Sequence, residues 1–256
     1  MSREKEIRLI CLLIYVLASC FAVYLARPYY FYSILIVLGP PSIANFIWLK
    51  NSRRKIFIFS LLTLLFFAPP IELVTRLADV WDVQSIFPRP FGLIPLENML
   101  FAFINIFWGL SFYVYFSGED SDKKISSRMK YLIFLYIALS FFVYGFYFYD
   151  KTLIAASYFT MAVPVLIAPF IFIFGKYPEL IRRTVLTTLF FAFIYFIYEM
   201  VSLQIGSWWW PGEYLYSFRI YGKVFPLDDA IIWHFLSTPV LIGGYEFFAN
   251  GYKKAE

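Results

Sequence analysis

Apolar residues run almost unbroken along this chain, and polar ones gather in short intervals between them. Eight stretches are long and apolar enough to be membrane helices: roughly 9–26, 30–49, 56–77, 93–116, 131–149, 152–174, 184–206 and 224–247. A helix needs about 20 such residues to cross the hydrocarbon core. Eight of them use most of the 256 residues and leave no room for a soluble domain. Several carry prolines (Pro40, Pro41, Pro69, Pro70, Pro164 and Pro169), which membrane helices tolerate when neighbours satisfy the freed carbonyls. The expected fold is all-α, a polytopic transmembrane helix bundle.

Composition agrees. Apolar residues make up 61% of the chain and charged ones only 15%, against about 25% charged in a soluble domain. That excludes an ordinary globular enzyme, a disordered chain, a nucleic-acid binder and a disulfide scaffold. Charge then sets orientation. With both termini cytoplasmic, the inner segments hold 16 of the 22 Lys and Arg residues, including Lys50, Arg53 to Lys55, Lys123, Lys124, Lys253 and Lys254, and the outer segments hold 6. This distribution obeys the positive-inside rule, so the expected location is the cell membrane with both termini cytoplasmic. Leu17-Ala18-Ser19-Cys20 resembles a cleavage box, but the apolar run continues to Arg27 and reads as a span. Cys11 and Cys20 lie on one helix about 13 Å apart, too far to bridge.

The chain also repeats itself. Glu72 precedes Trp81 by nine residues, as Glu199 precedes Trp208. Arg89-Pro90-Phe91-Gly92 matches Arg219-Ile220-Tyr221-Gly222, Pro95-Leu96-Glu97-Asn98 matches Pro226-Leu227-Asp228-Asp229, and Arg53-Arg54 matches Arg182-Arg183. The offset drifts from 127 to 131. Two membrane repeats follow, 1–120 and 121–256, with four helices each. An even number preserves orientation, so the repeats are parallel about an axis along the membrane normal.

A carboxylate inside a membrane helix is costly and marks function by default. Glu72, Glu97, Glu199 and Asp228 are expected at one depth near the outer ends of their helices, with Asn98 and Asp229 directly after the second acid of each half. Such acids serve either as Brønsted acids towards an apolar substrate or as ties between helices, with Arg89 and Arg219 as partners. Trp81, Trp208, Trp209, Trp210 and Trp233 fall beside these motifs, and aromatic faces stabilise cations. His234 stands five residues after Asp229, about 140° round an α-helix, so the two are expected on different faces. As the only histidine it suggests a hydrogen-bonded helix residue first and a proton-transfer partner second, and no metal site. Neither a Gly-rich nucleotide loop nor a His cluster occurs, and no lysine falls inside a predicted span, which argues against a retinal Schiff base.

These residues resemble the integral-membrane lycopene cyclase family, found as two small subunits in some bacteria and as one fused chain in archaea and fungi. In that family each half carries an acid with a Trp some nine residues on, then Pro-Leu-Glu-Glu opening the next helix. Glu72…Trp81 with Pro95-Leu96-Glu97-Asn98 is similar to one subunit, and Glu199…Trp208 with Pro226-Leu227-Asp228-Asp229 to the other. The family usually has Asp where Glu72 and Glu199 stand, and an acid where Asn98 stands. The resemblance implies a redox-neutral cyclisation of the linear ends of lycopene to β-ionone rings. It implies Glu97 and Asp228 as leading acids, and Glu72, Glu199 and Asp229 tuning or receiving the proton. Trp81, Trp208, Trp233 and Asn98 would line the cation. No cofactor or metal is expected. The partners are a lipophilic carotenoid and the bilayer, with no nucleic acid, and a homo-oligomer is compatible. A carotenoid hydratase, a proton-coupled transporter and a non-catalytic lipid-binding protein are the alternatives. Nearly all-apolar inner halves of helices 2, 3, 6 and 7 count against transport.

Overall fold

The structure is a computed structural model, and it describes residues 1–121 and 124–252. Lys123, Lys253 and Lys254 of the charge count lie outside the described residues. Among those described, seven helices are long and apolar enough to cross a membrane. They are α1 (Arg3–Ala26), α2 (Tyr30–Trp48), α3 (Arg53–Leu77), α4 (Leu96–Phe116), α5 (Met129–Leu153), α6 (Phe159–Lys176) and α7 (Glu179–Ile205). An eighth, α8 (His234–Gly244), is extended by two π-helical turns, Asp229–Trp233 before it and Tyr245–Ala249 after it. The protein is therefore an all-α multi-pass bundle. The last span starts later than the hydropathy suggests, because Val224 to Pro226 belong to a strand. Likewise 93–95 and 154–157 lie before their helices, and 152–153 close α5.

Prolines shape α2, α3 and α6, and neighbours repair the damage. Pro40 cannot donate to Ile36 O, which accepts from Tyr15 Oη at 2.7 Å instead. Pro70 frees Phe66 O, which accepts from Ser140 Oγ at 2.9 Å. Lipid offers no hydrophobic drive for helices to associate, so packing and interhelical hydrogen bonds must do it. Helix α4 sits centrally against α2, α3, α7 and α8, while α5 is peripheral and mostly exposed. Ser33 on α2 pairs with Tyr198 on α7 at 2.7 Å, and the Trp108 indole on α4 donates to Asn45 on α2 at 2.9 Å. The predicted repeats interleave, with α1 packed on α7 and α4 on α7 and α8.

The basic end of the bundle is also tied by polar groups. Asp120 accepts from the backbone N–H groups of Lys50, Asn51 and Ser52, holding the turn into α3. Lys55, predicted to lie outside the spans, occupies the first turn of α3 and is buried. Its ammonium reaches Asn250 Oδ1 at 2.8 Å, and Asn250 in turn donates to buried Glu246. The basic run Arg53-Arg54-Lys55 made the boundary look sharper than it is, because a lysine stem can lie along apolar surface.

Four short strands lie between the helices at the opposite end. β1 (Asp82–Val83) pairs antiparallel with β2 (Trp208–Trp209), and β3 (Ser217–Ile220) with β4 (Lys223–Pro226). Asp82 faces Trp209, its own counterpart at the 127-residue offset, so a local two-fold axis passes between them. Matched positions share backbone conformation on both sides of it. Asp79 and Gly206, Phe91 and Tyr221, and Gly92 and Gly222 all have positive φ. Val80 N–H bonds to Thr75 O, as Ser207 N–H does to Ser202 O. The repeat read from polar residues therefore recurs in the turns that close α3 and α7.

Candidate active site

Two carboxylate centres lie at this end, one per half. In the first, Glu72 on α3 is buried, and its Oε1 accepts from Arg76 Nε at 2.8 Å and from Asn98 Nδ2 on α4 at 2.9 Å. Arg76 is one turn further along the same helix, the i,i+4 spacing at which side chains meet. Its other face bonds Asp82 and the carbonyl of Trp81. Arg89 completes the chain, 3.0 Å from Asp82 and 2.8 Å from Val83 O. Two carboxylates thus meet two guanidiniums. Arg89 pairs with Asp82, not with the helix acids it was expected to neutralise, and Arg219 lies exposed on β3 in none of the ion pairs among the described residues.

The second centre has different chemistry. Glu199 Oε2 on α7 and Asp229 Oδ2 each lie 3.2 Å from His234 Nε2. All three residues are buried, and their ligand atoms lie within 4.8 Å of one another. The separate faces expected for Asp229 and His234 do not occur. Asp229–Trp233 is π-helical, and the His234 N–H bonds to Asp229 O, so residues five apart stack one above the other. For the same reason the lone histidine gains two carboxylate neighbours and becomes a conceivable metal ligand. Trp210 Nε1 donates to Glu199 Oε1 at 3.0 Å.

The remaining predicted acids sit apart from these pairs. Glu97 is fully buried, and both its oxygens are used: Ser85 Oγ at 2.8 Å, Ile86 N at 2.6 Å and Phe87 N at 3.2 Å. It pins the loop of Ser85 to Phe87 onto the start of α4. Asp228, its counterpart, accepts from Leu215 N at a long 3.4 Å through Oδ2, while its buried Oδ1 has no hydrogen-bond partner among the described residues. Asp228 is one of the residues lining an apolar groove of about 200 Å³, with Leu215, Tyr216, Leu227 and Ile232.

The tryptophans divide between two clusters. Trp81 and Trp210 meet edge to face at 6.2 Å, and Trp233 and Tyr214 pack in the same cluster. Trp208 instead packs against Tyr30, Phe101 and Tyr198, all within 5.8 Å between centroids. The strand bridge explains the exchange. Antiparallel pairing about Asp82 and Trp209 puts Trp210 across from Trp81 and sends Trp208 the other way. Trp210 is the residue that sequence reasoning left outside the site, and its signal was the unusual run Trp208-Trp209-Trp210. Gly212 lets this loop lie on α3, since a Cβ there would come within 2.8 Å of Asp79 O.

Compared with known proteins, the chain matches no family model, no curated protein and no solved structure.

Proposed function

We propose that this protein is an acid-initiated cyclase of linear carotenes, and that its second half carries the reaction. The observation that supports this reading is Asp228, a residue that lines an apolar groove and whose buried carboxyl has one oxygen free of hydrogen-bond partners among the described residues. A protonated carboxyl there gives its proton to the terminal double bond of lycopene. The tertiary cation is attacked by an internal double bond, a six-membered ring closes, and loss of a proton gives the β-ionone end. The Asp228 carboxylate takes that proton back, so the step is redox-neutral. Glu199, Asp229 and His234 set the charge behind the acid, and the ring faces of Trp81, Trp210 and Trp233 shield the cation. Glu97 and Glu72, already committed to the loop and to Arg76, hold the scaffold. The positive-inside bias orients both termini to the cytoplasm and the acid end outwards.

Expression in a bacterium that makes lycopene, followed by chromatography of the pigments, tests this. γ-Carotene or β-carotene is the expected product, and it disappears with Asp228→Asn. Hydroxylated linear carotene would shift the reading to a hydratase, and unchanged lycopene from inserted protein would reject both. A second reading, proton-coupled transport, draws on the buried Lys55 and Glu246 at the opposite end, which Asn250 joins. It requires substrate-dependent proton uptake in liposomes.

A further inference from the structure

We propose that Glu199, Asp229 and His234 bind one divalent transition-metal ion. The proposal concerns the centre behind Asp228, and it stands whether or not the reaction above is right. The geometry comes first. Ligands to Zn²⁺ lie at about 2.0–2.2 Å, which places neighbouring donor atoms about 2.8–3.1 Å apart at octahedral angles and about 3.3–3.6 Å apart at tetrahedral ones. The imidazole nitrogen is 3.2 Å from each carboxylate oxygen. One N–H can point at only one of two acceptors, whereas an ion among them meets all three atoms at once. Glu199 Oε2 is buried with no hydrogen-bond partner among the described residues, 3.2 Å from that nitrogen.

Charge balance points the same way. The first half neutralises Glu72 and Asp82 with Arg76 and Arg89. At the 127-residue offset, Leu203 stands where Arg76 stands. Glu199 therefore lacks the arginine that its counterpart has one turn on, and a dication with two carboxylates and a neutral imidazole sums to zero. The surroundings fit as well. Trp210 holds Glu199 Oε1, which turns Oε2 into the cluster, the usual way an outer partner orients a ligand. Two carboxylates and one imidazole suit Mn²⁺, Fe²⁺ or Zn²⁺ more than the softer ions that prefer sulfur.

The experiment uses the full chain in detergent, stripped with chelator and titrated with Mn²⁺, with free Mn²⁺ read by electron paramagnetic resonance. One Mn²⁺ per chain is expected for the wild type and for Glu72→Gln. Binding should fall at least tenfold in His234→Gln and in Leu203→Arg. The latter keeps all three ligands and supplies the missing positive charge in place of the ion. A wild type that binds no Mn²⁺, or binding that survives both substitutions in folded protein, would overturn the proposal. Lycopene conversion is measured on the same samples. Binding without conversion counts against the cyclase reading alone, and conversion without binding against the ion alone.

Discussion

The two half-sites share a scaffold and differ in how they hold charge. In the first, Glu72 is answered within its own helix by Arg76 and across the interface by Asn98, and Phe103 fills the position that His234 takes in the second. In the second, Leu203 replaces the arginine, Asp229 replaces the amide, and His234 lies between the acids. The loop acids differ in parallel: Glu97 spends both oxygens on the chain and Asp228 leaves one unspent. The two halves thus each bury an expensive acid, one held by an arginine and the other beside a histidine and a second acid.

Four measurements break or sharpen that contrast. The largest effect is expected at Arg76→Met, which strands Glu72 without its cation. Losing one partner of a buried pair costs about 3–5 kcal/mol. Thermal unfolding in detergent should show it, and adding Glu72→Gln should restore most of the loss. If the single variant is as stable as wild type, the first centre is not the tie described. Next is Asp228→Asn, expected to lower carotene cyclisation about 100-fold or more, the range of general-acid catalysis. Glu97→Gln should instead lower stability and leave turnover per folded molecule within a few-fold. The reverse pattern would move the reaction to the first half. Third, Trp210→Phe removes the donor to Glu199 and should cost about 2 kcal/mol, the scale of a hydrogen bond to a charged group. Trp208→Phe keeps its ring packing and should cost less, so equal losses would refute the exchange of roles.

The smallest effect lies at the basic end. Partial burial alone pushes the Asp120 carboxyl up, but the N–H groups of Lys50, Ser52 and Asn51 outweigh it and hold it below the usual carboxylate range. Its stabilisation is therefore present above the unfolded value near pH 4 and is lost as pH falls through the lower folded value. Asp120→Asn should cost about 1 kcal/mol at pH 7, like the loss of a helix cap, with the gap closing below about pH 4. A gap that persists at pH 2.5 would show that the carboxylate charge is not its source.

The spans were legible because a membrane imposes one length and one composition on every crossing helix. The acids Glu72 and Glu199 were legible for the same reason, standing out against apolar neighbours. What escaped depended on departures from ideal geometry. Asp229 and His234 share a face only because one turn is π-helical. Trp210 outranks Trp208 only because two loops far apart in sequence pair as strands. Val224 and Phe225 looked like the start of a helix because an apolar run of that length does not reveal its period.

That strand pairing also sets a schedule for assembly. Asp82 and Val83 bond to residues about 127 positions later in the chain, and Gln84 N–H meets Ser207 O at 2.8 Å. At about 5–20 residues per second, roughly 6–25 s of synthesis separate the two loops. Through that interval the first loop leaves the ribosome with its edge open, while Tyr30 and Phe101 wait for the ring of Trp208. The internal Glu72–Arg76 pair gives the early half a way to keep its acid in the membrane alone. The late half has Leu203 where that arginine would stand and enters a bundle already standing.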